Sequence, residues 1–417
     1  MKHILFVDDD PHFLDALRVR LHGKRYKWAM AFVDSGAAAL TELQRVSYDL
    51  IVSDVRMSGM DGARLLRTVA DRWPATVRVA LSGSSDAAQT LRLVSVAHQF
   101  LSKPCEPQVL EILIERCFAL QDLLRAPELR AAVGRMRQLP PLRGIFRKLQ
   151  SLLEVEDVTV REVAQLISSD TIIAAKVLQI VNSAFFRTTR RITSVEQAVT
   201  HLGFTTLRNV VRSAEVFAAW PEKAAVNTVN LERLQQHSQQ VVAIAHALTS
   251  MPAVRAAVGH YVTLDDDAVL TALVHDLGYW ILAHECPQEL ELARARAVEH
   301  EISMPEAERD TFGATHAEIG AYLLGIWGFP YSVVEAVAHH HAPEQVPQTS
   351  FDVLAVMAIA HALAPSLDAE AFNGTLPPDP HVDEAYLGTV HAPFTWADAQ
   401  ERASSAIAAQ AEQAQAS

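Results

Sequence analysis

Three aspartates, a serine and a lysine stand at sequence positions that one crevice could bring together. Asp54 ends the run Asp49-Leu-Ile-Val-Ser-Asp54, where an apolar stretch stops at a carboxylate and a glycine-containing turn follows. Ile4-Leu-Phe-Val-Asp8-Asp9 is a second apolar run with acids at its end. Val77 to Ser82 ends in a hydroxyl, and Phe100-Leu-Ser-Lys103-Pro104 ends in a lysine. Such short apolar runs read as buried parallel strands. In a doubly wound sheet their carboxyl ends converge on one crevice. Carboxylates held together repel one another unless a cation offsets them. Hard oxygen ligands suit Mg2+, which keeps several waters and leaves room for a phosphate. One carboxylate can then attack a phosphoryl group while a lysine and a hydroxyl contact the transferred oxygens. The pattern assigns Asp8 and Asp9 to the metal, Asp54 to the acceptor role, and Ser82 and Lys103 to the phosphoryl oxygens. Helix capping by the same aspartates leaves the serine and lysine at matching strand ends without an explanation.

The elements that position these residues are legible in outline. Leu110, Leu113, Ile114, Cys117, Leu120 and Leu124 recur at helical spacing and close a first, α/β domain over residues 1–124. Residues 125–138 are polar and arginine-rich, with Pro127 near their start and Pro140-Pro141 just beyond, and read as a linker that continues as a helix up to the later prolines. From 139 to 365 the pattern is almost entirely α. Val160 to Ile167, Ile172 to Val181 and Ser194 to Leu202 have periods near 3.6. Thr159-Val-Arg-Glu162 and Ser194-Val-Glu-Gln197 match capping boxes, and Gly203 fits a helix end. Residues 366–417 read as an extension: a loop over 373–381, then a helix from Thr395 to Ala411, either partly disordered or a weak dimer helix.

Residues 1–122 resemble the receiver domain of two-component response regulators. The resemblance rests on Val7-Asp8-Asp9, the Ser53-Asp54-Val-Arg56-Met-Ser-Gly-Met-Asp-Gly62 loop, Ser82 and Lys103-Pro104. It implies a five-stranded parallel sheet, a cis peptide before Pro104 and an aromatic switch residue at Phe100. It also implies Mg2+ held by Asp8, Asp9, Asp54 and the Arg56 backbone carbonyl, and a histidine kinase as phosphoryl donor. Ser58 departs from the proline usual after the methionine.

The helical region resembles the HDOD family of HD-related output domains. The matching segments include Ile167-Ser-Ser-Asp170, Lys176-Val-Leu-Gln-Ile-Val-Asn182-Ser183, Ile192-Thr-Ser-Val-Glu-Gln-Ala198, His275-Asp-Leu-Gly278 and His316-Ala-Glu-Ile-Gly320 through Trp327-Gly-Phe-Pro330. This resemblance implies regulation through an unnamed downstream protein. His237, His275, Asp276, His316, His340 and His341 also follow the order used by metal-dependent HD phosphohydrolases, with His275-Asp276 expected on one helix. His361 aligns with their late aspartate, and His246, His284 and His339 are further candidates. Three departures stand against catalysis: Tyr279 in place of a lysine, no Gly-Tyr-Pro loop after His341, and the histidine at 361. Three readings stay open: a metal-free hydrogen-bonded core, a site for iron, manganese or zinc without turnover, and a phosphohydrolase acting on a nucleotide or cyclic dinucleotide.

Composition bounds the rest. With ~150 residues per domain as a guide, 417 residues suggest two or three domains. The net charge of −13 is concentrated in the C-terminal part, which disfavours nucleic acid. The basic middle, with Arg187, Arg190, Arg191, Arg208 and Arg212, reads as a solvated face or one that docks on acidic surface. No signal peptide or membrane-length apolar stretch is evident. Cys105, Cys117 and Cys286 lack metal-site spacing and read as reduced, mostly core thiols. The expectation is a cytoplasmic protein, off the membrane, with homodimerisation through the receiver open.

Overall fold

The computed structural model describes residues 1–83, 93, 96–136, 141–155, 157–183, 191–212, 229–258, 263–347, 350–365 and 382–415. The N-terminal part is a parallel sheet in the order β2-β1-β3-β4-β5. The strands are β1 (Lys2–Val7), β2 (Trp28–Val33), β3 (Leu50–Asp54), β4 (Val77–Ser82) and β5 (Gln99–Ser102). Every residue of β3 and β4 is buried, as strands covered on both faces must be. The register pairs Val7 with Val33 and Ser53, Asp54 with Leu81, and Ser82 with Ser102. Asp8, Asp54, Ser82 and Lys103 therefore emerge at one edge. Strand order reverses between β1 and β3, which places the crevice there.

Helices α1 (Pro11–Arg20), α2 (Gly36–Arg45), α3 (Gly62–Arg72) and α4 (Pro107–Leu123) flank the sheet. Asp10, Ser35 and Asp61 cap the first three through their side chains. Gly62 is required at the start of α3, because a Cβ there would lie 2.0 Å from the Asp54 carbonyl oxygen. The stretch read as a linker holds α5 (Pro127–Arg135), whose Leu129, Ala132 and Val133 are buried. Arg78 on β4 is itself buried and donates from Nη2 to the Gly134 carbonyl at 3.0 Å. A Cβ on Gly134 would sit 1.8 Å from the Pro74 carbonyl oxygen, so α5 is clamped onto the sheet domain.

The rest is helical: α6 (Arg143–Leu152), α7 (Val160–Ser168), α8 (Thr171–Val181), α9 (Val195–Arg212), α10 (Leu231–Thr249), α11 (Pro252–Val258), α12 (Leu264–Val274), α13 (Leu277–Glu285), α14 (Pro287–His300), α15 (Met304–Phe312), α16 (His316–Ile326), α17 (Tyr331–His339), α18 (Val353–Leu363), α19 (Glu384–Thr389) and α20 (Trp396–Gln415). The Thr159 capping box forms as expected. Gly203, at φ 70°, ends the first helical segment of α9 as expected, and a second segment resumes at once across the kink. The loop expected over 373–381 lies outside the described residues. The C-terminal helix packs along α10, with Ala399 and Ala403 buried within the same chain.

Buried side chains form two cores. One runs without a break from the sheet into the helical part; the other joins α10, α12, α18 and α20. Trp280 and Trp327 belong to the first, as expected. Of the three free cysteines only Cys117 is fully buried, the other two being half-buried. Among the described residues no single helix is long and apolar enough to cross a membrane.

Candidate functional site

Asp54 and Asp8 are buried at the sheet edge, and Lys103 reaches between them. Its Nζ lies 2.5 Å from Asp8 Oδ2 and 2.9 Å from Asp54 Oδ2. The Lys103-Pro104 bond is cis, as the resemblance implied. Asp54 Oδ1 accepts from the Val55 N–H at 2.7 Å, and Asp9 Oδ2 accepts from Ser58 N at 2.8 Å. Ser58, the departure from the usual proline, thus supplies a donor that proline lacks. Burial raises the Asp8 pKa, outweighing its hydrogen bonds from Lys103 and the Asp10 backbone. Burial lowers that of Lys103, but its bonds to the two carboxylates outweigh this and leave it raised.

Donor oxygens of Asp8, Asp9 and Asp54 lie within 4.8 Å of one another. Two buried carboxylates and an exposed one, with a lysine between the buried pair, fit a hard divalent cation that keeps some of its water. Arg56 follows on the exposed bend two residues after Asp54. Ser82 ends β4, and its carbonyl accepts from the Lys103 N–H at 2.8 Å. Phe100 is buried two residues before the end of β5.

The second centre collects every histidine expected in it. His237 comes from α10, His316 begins α16, His340 and His341 follow α17, and His361 comes from α18. His275 and Asp276 depart from expectation in one respect. They occupy the junction between α12 and α13 and are not both inside one helix. The chain turns there because α13 must cross closely over α16: a Cβ on Gly278 would lie 1.9 Å from the His316 carbonyl oxygen. His246 and His284 pair with Asp265 and Glu285, outside the cluster. His339, the last residue of α17, takes no part in the grouped ligand atoms.

The imidazoles are held by a common device. Nδ1 of His237, His275 and His340 lies 3.1, 2.8 and 2.8 Å from the carbonyls of Pro365, Ala272 and Val337. Nδ1 of His316 lies 2.8 Å from Glu308, which also accepts from the His316 backbone N–H. A carbonyl beside Nδ1 fixes that nitrogen as donor and leaves Nε2 as an acceptor. Those Nε2 atoms face inward. His275 Nε2 lies 3.1 Å from Asp276 Oδ2, and His316 Nε2 lies 3.4 Å from Asp276 Oδ1 and 3.0 Å from His341 Nε2. His340 Nε2 and both Asp276 oxygens are buried without a well-aligned hydrogen bond among the described residues.

Three groups of ligand atoms fall within 4.8 Å of one another: His237 with His275 and His361, His316 with His340 and His341, and His275 with Asp276 and His340. Imidazole nitrogens gathered around a shared carboxylate, four of the rings held through Nδ1 from behind, fit a divalent transition metal. Burial pulls His340 and His361 well below the usual imidazole range, with neighbouring histidines adding to it. Burial alone would also lower His316, but the charges of Glu308 and Asp276 push it up to about 10. Glu308 is fully buried, and sequence reasoning missed it. It lies eight residues before His316 on a separate helix, a spacing that carries no periodic signal. Tyr279, at the lysine position of the hydrolases, stacks flat on His316, with ring centroids 3.9 Å apart.

The two centres share one element. Helix α16 carries His316 at its first residue and meets the receiver at its last turn. A Cβ on Gly325 would lie 2.5 Å from Leu120 of α4. Gln99 Nε2 donates to the Gly325 carbonyl at 3.4 Å, and Arg116 donates to the Phe329 carbonyl. Elsewhere in the basic middle, Arg208 donates to the Leu153 carbonyl and Arg212 pairs with Glu154. Arg187 and Arg190 lie outside the described residues.

Comparison with known proteins accords with this division. Residues 4–115 match the model of the response regulator receiver domain, and residues 139–343 match that of the HDOD domain. An uncharacterized protein of Treponema pallidum is 26% identical over 238 residues, covering 57% of this chain and 44% of its own. The transcriptional regulatory protein GlrR of Escherichia coli is 35% identical over 111 residues, covering 26% of this chain and 24% of its own. The chain thus spans less than half the length of these curated relatives. The crystal structure of the MmoQ response regulator from Methylococcus capsulatus aligns with 56% of this chain and 92% of its own, at 21% identity and a TM-score of 0.43. The chain joins a response regulator receiver domain to an HDOD domain.

Proposed function

We propose that the chain is a phosphorylation-controlled regulator in which Asp54 accepts a phosphoryl group from a histidine kinase and the HDOD domain acts through contact with another protein. The observation that carries this reading is the shared helix α16, held by the receiver at Gly325 and by the histidine centre at His316. Asp8, Asp9, Asp54 and the Arg56 carbonyl would hold Mg2+, which offsets the charge of the incoming phosphoryl group. An Asp54 carboxylate oxygen forms the new bond to phosphorus, and the donor's leaving group departs with its electron pair. Lys103, now paired with Asp8 and Asp54, and the Ser82 hydroxyl contact the phosphoryl oxygens. Phe100 responds to Ser82, and it lines the cleft against Trp327 and Gly328 of the HDOD domain. Acetyl phosphate with magnesium is expected to label the wild type and to change hydrogen exchange across residues 316–326. Asp54→Ala shows neither effect; full labelling of that variant sinks the acceptor assignment, and unchanged exchange in the labelled wild type sinks the coupling.

A second reading, a metal-loaded HD-type centre, is supported by the inward-facing Nε2 atoms. Iron, manganese or zinc held by His237, His275, Asp276, His316, His340, His341 and His361 would supply a Lewis acid suited to phosphodiester chemistry on a nucleotide or cyclic dinucleotide. Tyr279 weighs against turnover, since a stacked phenol brings no cation to a phosphate. Elemental analysis decides whether metal is present. One or two metal ions per chain, lost in His275→Ala/Asp276→Ala, support a loaded centre. Metal-free wild type leaves a hydrogen-bonded histidine core and the protein-contact reading.

A further inference from the structure

Between the two domains lies a cleft of about 350 Å³ that belongs to neither centre. The receiver contributes Phe100, Leu113 and Arg116; the HDOD domain contributes Gln179, Arg191 and Trp327. Its volume falls within the range of small-molecule sites, which bear a few convergent polar groups on an apolar lining.

Its electrostatics are incomplete. Arg116 and Arg191 enter from opposite sides, and neither has a carboxylate partner among the described residues. Among the described residues, Arg116 donates to the Phe329 carbonyl. Desolvation by the cleft walls, then the Arg116 charge, pull Arg191 down to about 10. Like charges brought together across an interface oppose docking unless something neutralises them. A third donor also lacks a partner. Gln179 is only 3% exposed; its Oε1 accepts from Lys176 at 3.1 Å, while its Nε2 is buried and unbonded. A buried amide N–H without an acceptor keeps its full desolvation penalty. Two guanidiniums and an amide N–H are all donors, and what they lack is one anionic acceptor. Phe100, Leu113 and Trp327 offer apolar surface to the remainder of such a molecule.

We propose that the interdomain cleft binds a small phosphate-bearing molecule, its oxyanion set between Arg116 and Arg191 and its apolar body against Phe100 and Trp327. Such a ligand ties the receiver to the HDOD domain through one arginine from each. By linkage, whatever shifts Phe100 also changes its affinity. This inference goes beyond phosphotransfer and does not depend on it.

The test is calorimetric titration of the full chain in the Asp54→Asn background without magnesium, so that the receiver crevice takes no part. Inorganic phosphate, AMP and adenosine serve as probes. Phosphate and AMP are expected to bind, AMP more tightly, and adenosine at least tenfold more weakly than AMP. Losing one charged hydrogen bond costs about 1.5–3 kcal/mol, so Arg191→Gln and Arg116→Gln should each weaken AMP binding about tenfold or more. Circular dichroism confirms that the variants fold, and Arg191→Lys should recover part of the loss. Absence of binding by both phosphate and AMP overturns the proposal. So does AMP affinity unchanged in both glutamine variants, or adenosine binding as tightly as AMP.

Discussion

At the scale of the residue, Lys176 shows what burial does to a charge. It is 1% exposed, its ammonium lies 4.1 Å from the centre of the Trp327 ring, and it donates to Gln179. Desolvation pulls its pKa down to about 7, from a usual 10.5. Between those values the unfolded chain binds more protons than the folded one. Stability contributed by this site therefore rises as pH climbs from about 7 toward about 10.5. Lys176→Met keeps the volume and removes the titration. Its stability advantage over wild type should be largest near neutral pH and shrink by on the order of 2 kcal/mol by about pH 9. Urea unfolding at the two pH values measures this, and a difference that does not move with pH contradicts the assignment. The segment containing Lys176 was legible as an HDOD match. Its burial over a tryptophan more than a hundred residues away was not, because that contact exists only once α8 and the end of α16 meet.

At the scale of the element, close helix crossings set the geometry of the histidine centre. Gly278 lets α13 approach the start of α16, and the atom its Cβ would strike is backbone, which cannot swing away. Gly278→Ala should cost about 1–3 kcal/mol or more and displace His316. Gly144 in α6 is the control: nothing lies within 4 Å of its would-be Cβ. Gly144→Ala should leave stability unchanged or raise it by up to about 1 kcal/mol through helix propensity. Thermal unfolding of both variants decides, and equal effects would refute the packing argument. Sequence periodicity located α4, α7, α8 and the first segment of α9, because apolar spacing and capping residues act locally. The likeness to HD phosphohydrolases placed His275 and Asp276 on one helix, whereas they stand at the junction of α12 and α13. No local spacing marked Glu308, which reaches His316 only because α15 folds back beside it.

At the scale of the whole molecule, the receiver and the HDOD domain share one unbroken apolar core. Helix α5, read from the arginine-rich sequence as a linker continuing as a helix, is clamped onto the receiver by Arg78 and Gly134. A shared core means that a change at Phe100 or Leu120 is felt by α16 as packing, not through a flexible tether. Interiors packed to crystal density transmit small shifts rather than absorbing them. This is the physical basis for expecting the exchange of residues 316–326 to respond to phosphorylation of Asp54. It also explains why a molecule seated between Arg116 and Arg191 would bear on the same equilibrium.

The sequence by itself determined the elements and the chemistry at their ends. Strand runs closing on Asp8, Asp54, Ser82 and Lys103 converge because parallel strands in one sheet present their carboxyl ends together. The histidines of the second centre were also nameable one by one, from their order along the chain. His275 and His340 are turned by carbonyls three residues back in their own chain segment, but only the tertiary structure decided how His237 is turned, since that depends on the distant Pro365 carbonyl, and that Glu308 of the neighbouring helix meets His316. It alone decided which receiver face meets α16, and that two arginines and an orphaned amide share a cleft. Local propensities act over a few residues and can be read from spacing. Orientation, burial and interdomain contact arise from residues far apart in the chain, and no local pattern records them.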